Sequence, residues 1–228
     1  MAKSLKNDAI AALNQYKEMK LYQIQEKILQ HLLIEYPDHS CVNAVETKVK
    51  LLNLFYSTGI KAINVVAEKV NNINNIDERL KQGDMSLINE IASINLHNNT
   101  SRFNYSFATK YCAYHQPDKF PIYDSIVAMT FESLFEKSLL PPYKYSRKYK
   151  FNIDNNTFTK TSFSTHLKEY PFFVEVYNLF MKLYDLQSFT YRQVDSYIWG
   201  AFKIAGDDFE IEKMADLDKS KIKENYID

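Results

Sequence analysis

The chain has 228 residues, 46% of them hydrophobic and 14% aromatic, enough apolar surface to bury a substantial core and to exclude disorder for most of it. Its 28 Lys and Arg balance 28 Asp and Glu, so bulk charge does not coat nucleic acid and any polyanion site has to be a local patch. Four glycines leave room for neither a phosphate-cradling Gly-rich loop nor a dinucleotide fingerprint, and with turn signals so sparse an all-α fold is expected.

Leu5 to Tyr36 carries Ile10, Leu13, Leu21, Ile24, Ile28, Leu32 and Leu33 near helical spacing before Pro37-Asp38 stops it, which predicts one long helix or two. The start MAKSLKND has no apolar signal core, and no run of eighteen apolar residues occurs, so a cytoplasmic protein with no membrane partner is expected. His31 and His39 flank the helix end without a third ligand nearby; they read as surface or capping residues, and no metal or other cofactor is expected. Cys41 and Cys112 lie far apart and outside any CxxC, which suits free, core-packed thiols in a reducing compartment.

Asn43 to Tyr56 supplies Val45, Val49, Leu52 and Phe55 at helical spacing, and Ser57-Thr58-Gly59 punctuates it, with Thr58 placed to cap a following helix from Ile60 to Val70. Asn71 to Ile76 reads as a connector, Asp77 as the start of a short turn, and Gly83-Asp84 as the cap of a helix from Met85 to Ile94. Leu96 to Arg102 is polar and expected as a loop.

Asn104 to His115 is apolar on most sides of a helical projection, since Phe107, Tyr111 and Tyr114 recur at i, i+4 and i+7 with Ala108, Cys112 and His115 one position on. A buried central helix is expected there. Gln116 to Phe120 breaks the period with a proline, and Asp124 or Ser125 then stands ready to cap a second helix, expected over Ile122 to Lys137. Pro141-Pro142 closes that helix.

From Tyr143 to Lys168 the basic residues Lys144, Arg147, Lys148, Lys150, Lys160 and Lys168 face the single acid Asp154, interleaved with Tyr143, Tyr145, Tyr149 and Phe151. Such a mixture suits a surface that tracks phosphates and stacks bases, or equally a solvated loop pinned by its aromatics. Tyr170 to Leu186 and Thr190 to Ile204 return to helical spacing, with Arg192 placed to pair with Asp195 or Ser196 across a turn and Trp199 read as a core anchor rather than a base-stacking platform. The tail from Gly206 holds eight acids against four lysines and suits a peripheral helix.

Helix, loop, PIYD and helix over 104–137 resemble the end of the catalytic motif in the helix-hairpin-helix DNA glycosylase superfamily, where a PVD tripeptide carries the catalytic aspartate. Asp124 matches that aspartate, and Ser106, eighteen positions earlier, matches the Schiff-base lysine of the bifunctional members. The stretch VKLLNLFYSTGI at 49–60 is similar to the LLSAQT helix end of these enzymes, where Tyr56 and Ser57 fall at base-pocket positions. Arg192 to Trp199 fits an RxxDxxxW element of the bacterial proteins similar to 8-oxoguanine DNA glycosylases. Leu96 to Tyr105 departs from the pattern: no glycine stands where the family's Gly-rich hairpin binds a DNA phosphate.

What the resemblance implies is a two-lobed helical bundle forming one domain over 1–228. Its central lobe would span about 43–140, and an N-terminal helix within 1–36 would pack with C-terminal helices of 160–228 beside a basic loop at 141–160. DNA is the implied partner. Asp124 would be the key acid of a monofunctional base excision, because Ser106 cannot form a Schiff base. Lys110 shares a face with Ser106 and Tyr114; it reads as a displaced amine or phosphate contact, or else as a solvent-facing or salt-bridged side chain. The alternatives are an inactive member of the fold that binds nucleic acid or a protein partner, and an unrelated helical domain in which Asp124 is only a cap.

Overall fold

The computed structural model describes residues 5–95, 101–137, 139–140 and 160–205. Among them eleven α-helices and one two-stranded antiparallel ribbon give an all-α fold. The chain divides into two compact units: residues before 18 and from 124 onward form a terminal unit, and 18–123 form a central one.

The terminal unit is built from α1 (Lys6–Tyr16), α8 (Ser125–Glu136), α9 (Lys160–His166), α10 (Tyr170–Leu183) and α11 (Tyr191–Ala205), with α1 packed on α11 and α8 on α9 and α11. Its core is aromatic. Phe131 of α8 lies 6.1, 5.5 and 5.3 Å from the rings of Phe173, Tyr177 and Phe180, pairings that add to the area they bury. Ahead of α1 the Leu5 N–H donates to the Tyr184 carbonyl at 2.9 Å, while Tyr16 meets Trp199 edge-on at 6.2 Å. Of the two partners its spacing allows, Arg192 pairs with Asp195, at 2.7 Å.

In the central unit the order is α2 (Lys20–Glu35), α3 (Val42–Tyr56), α4 (Ile63–Asn71), α5 (Ile76–Gln82), α6 (Ser86–Ala92), β1 (Ser93–Asn95), β2 (Ser101–Phe103) and α7 (Tyr105–His115). Helix α3 packs on α4 and α7, and α6 on α7, so that α7 buries residues on nearly every side and forms the middle of the unit. Val45, Val49, Leu87, Ile91 and Phe107 supply its solvent-free core.

Several expectations are corrected. The N-terminal helical stretch breaks at Lys17–Met19, and only α1 joins the C-terminal helices; α2 packs on α3 in the central unit, whose limits are therefore 18 and 123. Ala9 and Ala12 bury one half of the stretch and Leu29 the other, so the two halves have separate packing partners.

Thr58 caps nothing. Helix α4 starts later, after Ala62, and the Thr58 hydroxyl donates to Asn53 Oδ1 at 3.0 Å. Asn53 also takes the Ile60 N–H at 2.9 Å and gives its amide to the Ile60 carbonyl, so one side chain organises the whole turn. Asp77 lies within α5, which ends on Gly83 at φ 76°, a left-handed position that a side chain would strain. The helix expected to reach Ile94 stops at Ala92, and the expected loop becomes in part a ribbon in which Ser93 faces Phe103 and Ile94 faces Arg102. The basic loop at 141–159 and the acidic tail from 206 lie outside the described residues.

Candidate functional site

Asp124 opens the terminal unit as the N-cap of α8. Its backbone is extended, and Oδ1 accepts the N–H groups of both Ile126 and Val127 at 3.0 Å, satisfying two donors that the first helical turn leaves open. The preceding residue is also held. The Tyr123 N–H donates to Thr109 Oγ1 at 3.1 Å, and that hydroxyl lies 3.2 Å from the Tyr123 carbonyl, so α7 grips the backbone one residue before the cap.

Ser106 and Lys110 sit one turn apart on α7, with Lys110 Nζ donating to Ser106 Oγ at 2.9 Å. The side chain of Lys110 faces neither open solvent nor a flexible surface: the residue is 5% exposed, because α7 is packed round on most sides. The hydroxyls of Tyr56, at the end of α3, and Tyr114 of α7 lie 2.5 and 2.8 Å from Glu26 Oε1 and in hydrogen-bond contact with each other, and their two protons serve two of these three contacts. Ser57 follows in the left-handed region at φ 47° and is exposed. Thus the structure ties Tyr56 to Tyr114 and Ser106 to Lys110 and leaves Ser57 outside these pairs. Lys144, Arg147, Lys148 and Lys150 fall outside the described residues.

Sequence reasoning missed a second polar cluster in the central unit. His39 is not a surface residue but is 6% exposed, with Nδ1 at 2.7 Å from Asp77 Oδ1, its backbone N–H on Asp77 Oδ2 at 3.2 Å, and Nε2 at 2.8 Å from the Tyr111 hydroxyl. With Nδ1–H donated to the carboxylate, Nε2 is the acceptor for Tyr111. The imidazole of His115 stacks on that of His39 at 4.9 Å and lies 5.0 Å from the Tyr111 ring, and its buried Nε2 has no hydrogen-bond partner.

Lys48 of α3 is 2% exposed and donates to the Asp38 carbonyl at 3.1 Å. Burial pushes its amine down to about 8, against the pull of Asp77 and Asp38. Burial likewise lowers both histidines, His115 well below the usual imidazole range, and outweighs the Asp77 hydrogen bond at His39. The partners of His39 are 38 and 72 residues away in sequence, and no local pattern announces them. The sequence reading placed Tyr111 and His115 on one mostly apolar helix but did not pair them.

Beside this cluster a cleft of about 210 Å³ opens within the central unit. Leu33, Pro37 and Leu80 form its apolar wall. Asp77, Lys81, Tyr114, His115 and Gln116 form the polar one. No group of three or more His, Cys, Asp or Glu able to hold a metal occurs among the described residues, and no helix among them is long and apolar enough to cross a membrane.

A family model, HI_0787_N, described as an N-terminal domain, matches residues 8–119. A Haemophilus influenzae protein, described as uncharacterized, is 35% identical over 162 residues, which cover 71% of this chain and 68% of the relative. The chain belongs to the HI_0787_N family. The span matched by the family model contains the Ser106–Lys110 pair, the Glu26–Tyr56–Tyr114 group and the His39 cluster, and it stops short of Asp124. No solved structure matches the chain.

Proposed function

We propose that this protein is a DNA glycosylase-like enzyme whose Asp124 is the key acid of a monofunctional base release. The observation that carries the reading is the way Asp124 is held: one carboxylate oxygen takes both cap hydrogen bonds of α8, and Thr109 grips the residue before it. A carboxylate fixed in this way needs no reorganisation to stabilise positive charge developing on C1′ of a flipped nucleotide. The C1′–N bond breaks, the base leaves with the bonding pair, and water supplies the new C1′–O bond and the proton the base requires. Ser106, at the position of the Schiff-base lysine, offers no amine. The nearest one in sequence, Lys110, is engaged by the Ser106 hydroxyl.

A second reading, binding of nucleic acid or a protein partner without base release, is favoured by one specific feature. Between α6 and α7 Ser93–Asn95 and Ser101–Phe103 pair as an antiparallel ribbon, and the sequence from Leu96 to Tyr105 holds no glycine for the family's Gly-rich hairpin. The deciding experiment presents the protein with DNA duplexes that each carry one damaged base and measures free base and binding in parallel. Release that disappears in Asp124→Asn supports the enzyme, and binding without release supports the second reading.

A further inference from the structure

The cleft beside the His39 cluster has an unusual charge arrangement. Asp77 and Lys81 stand four residues apart on α5, the spacing at which opposite charges on a helix ordinarily pair. They form no ion pair with each other: the two oxygens of Asp77 take the Nδ1–H and backbone N–H of His39 instead, and Lys81 has no partner among the described residues. Both nevertheless line the same cleft. Asp77 keeps 37% of its side chain exposed there, and a carboxylate that accepts two hydrogen bonds has lone pairs for two more.

We infer that this cleft binds a zwitterionic α-amino acid with an apolar side chain, its ammonium on Asp77, its carboxylate on Lys81 and its side chain against Leu33, Pro37 and Leu80. Complementarity excludes the simpler ligands. An anion meets the Asp77 carboxylate, a cation meets the Lys81 ammonium, and a neutral hydrocarbon strips water from both charges without replacing it. Only a dipolar ligand satisfies the two together. The size agrees, since 210 Å³ lies below the roughly 300–1,000 Å³ of sites for drug-sized molecules and suits a ligand of single-amino-acid dimensions. Gln116, whose amide carries both a donor and an acceptor, serves either end of the ligand. Asp77 is fixed in advance by His39, so little ordering cost falls on binding. This inference rests on none of the chemistry assigned to Asp124.

The test is an amide NMR titration of the full chain with L-leucine, L-methionine and L-phenylalanine. L-Leucinamide and 4-methylpentanoate serve as probes that keep one charge each. Saturable shifts at Lys81 and Gln116 with at least one of the three amino acids are expected, with both single-charge probes of the leucine skeleton about tenfold weaker or more. Lys81→Met, which disturbs no described contact, is expected to weaken binding about tenfold, and Leu33→Trp, which fills the cleft while leaving Asp77 and His39 in place, to abolish it. The proposal is overturned by the absence of saturable shifts with all three amino acids, by equal binding of leucine and leucinamide, or by unchanged binding in Lys81→Met.

Discussion

Replacing His115 by Phe should stabilise the central unit at neutral pH and flatten its acid sensitivity. At neutral pH the ring nitrogen Nε2 is buried without a partner, and a buried polar group left unsatisfied costs about 1–3 kcal/mol. Phenylalanine keeps a flat ring between Tyr111 and His39, 5.0 and 4.9 Å away, and removes that atom, so a gain of about 1 kcal/mol is expected after some loss from imperfect fit. In acid the two buried imidazoles, both held below their ordinary range, refuse a proton that the unfolded chain accepts. Their contribution is therefore complete above about pH 6.5 and is lost as the pH falls below it, at up to about 1.4 kcal/mol per pH unit for each ring.

Two such rings give a slope of up to about 2.7 kcal/mol per pH unit below about pH 6.5, and with His115 gone only the His39 share, at most about 1.4, remains. Asp38 and Asp84, whose carboxyls are lowered chiefly by hydrogen bonds from Ser40 and Ser86, add their own loss only near and below about pH 4. Urea unfolding followed by circular dichroism at pH 7, 6 and 5 reads both effects, because the single Trp reports on the other unit. A loss of more than about 1 kcal/mol at pH 7, or an acid slope the same as that of the parent chain, would refute the reasoning.

The turn after α3 depends on one side chain: Asn53→Ala removes three hydrogen bonds to Thr58 and Ile60 and should cost about 1–3 kcal/mol by urea unfolding, whereas a change within error would mean the turn holds itself. Replacing Lys144, Arg147, Lys148 and Lys150 together should weaken any nucleic-acid binding across all sequences and lower its salt slope by up to about four units; an unchanged slope removes these four residues from the argument. On the proposed reading borohydride should trap no covalent complex with damaged DNA, because Ser106, which the resemblance matches to the Schiff-base lysine, has no amine; trapping that Lys110→Met abolishes would make Lys110 the nucleophile.

The features legible in the sequence were those written by local physics. The α7 periodicity and the Asp at the mouth of α8 each follow from neighbouring residues, and both stand in the structure where the pattern put them. Illegible were the pairings made at long range. His39 follows a Pro-Asp stop and looks like surface, yet it is drawn inward by Asp77 and Tyr111, which only the packing of α3, α5 and α7 brings to it. The i, i+4 face that Lys110 shares with Ser106 was legible, but not its burial to 5% exposure, which the packing of other helices around α7 decides. The division of the first helical stretch between two units left no mark in Lys17–Met19, where neither Gly nor Pro occurs, because the break is decided by what each half packs against.

The central claim is tested most directly by base release from single-lesion DNA duplexes, comparing the parent chain with Asp124→Asn. Asparagine caps a helix about as well as aspartate, so the variant should fold with nearly unchanged stability while its release rate falls on the order of 10²–10³-fold for want of the carboxylate charge. Release in the parent chain and its collapse in a stably folded Asp124→Asn is the result the account predicts. Equal rates in the two proteins, or no release by the parent chain from any lesion while Asp124→Ala loses only the roughly 0.5–2 kcal/mol of a helix cap, would contradict it.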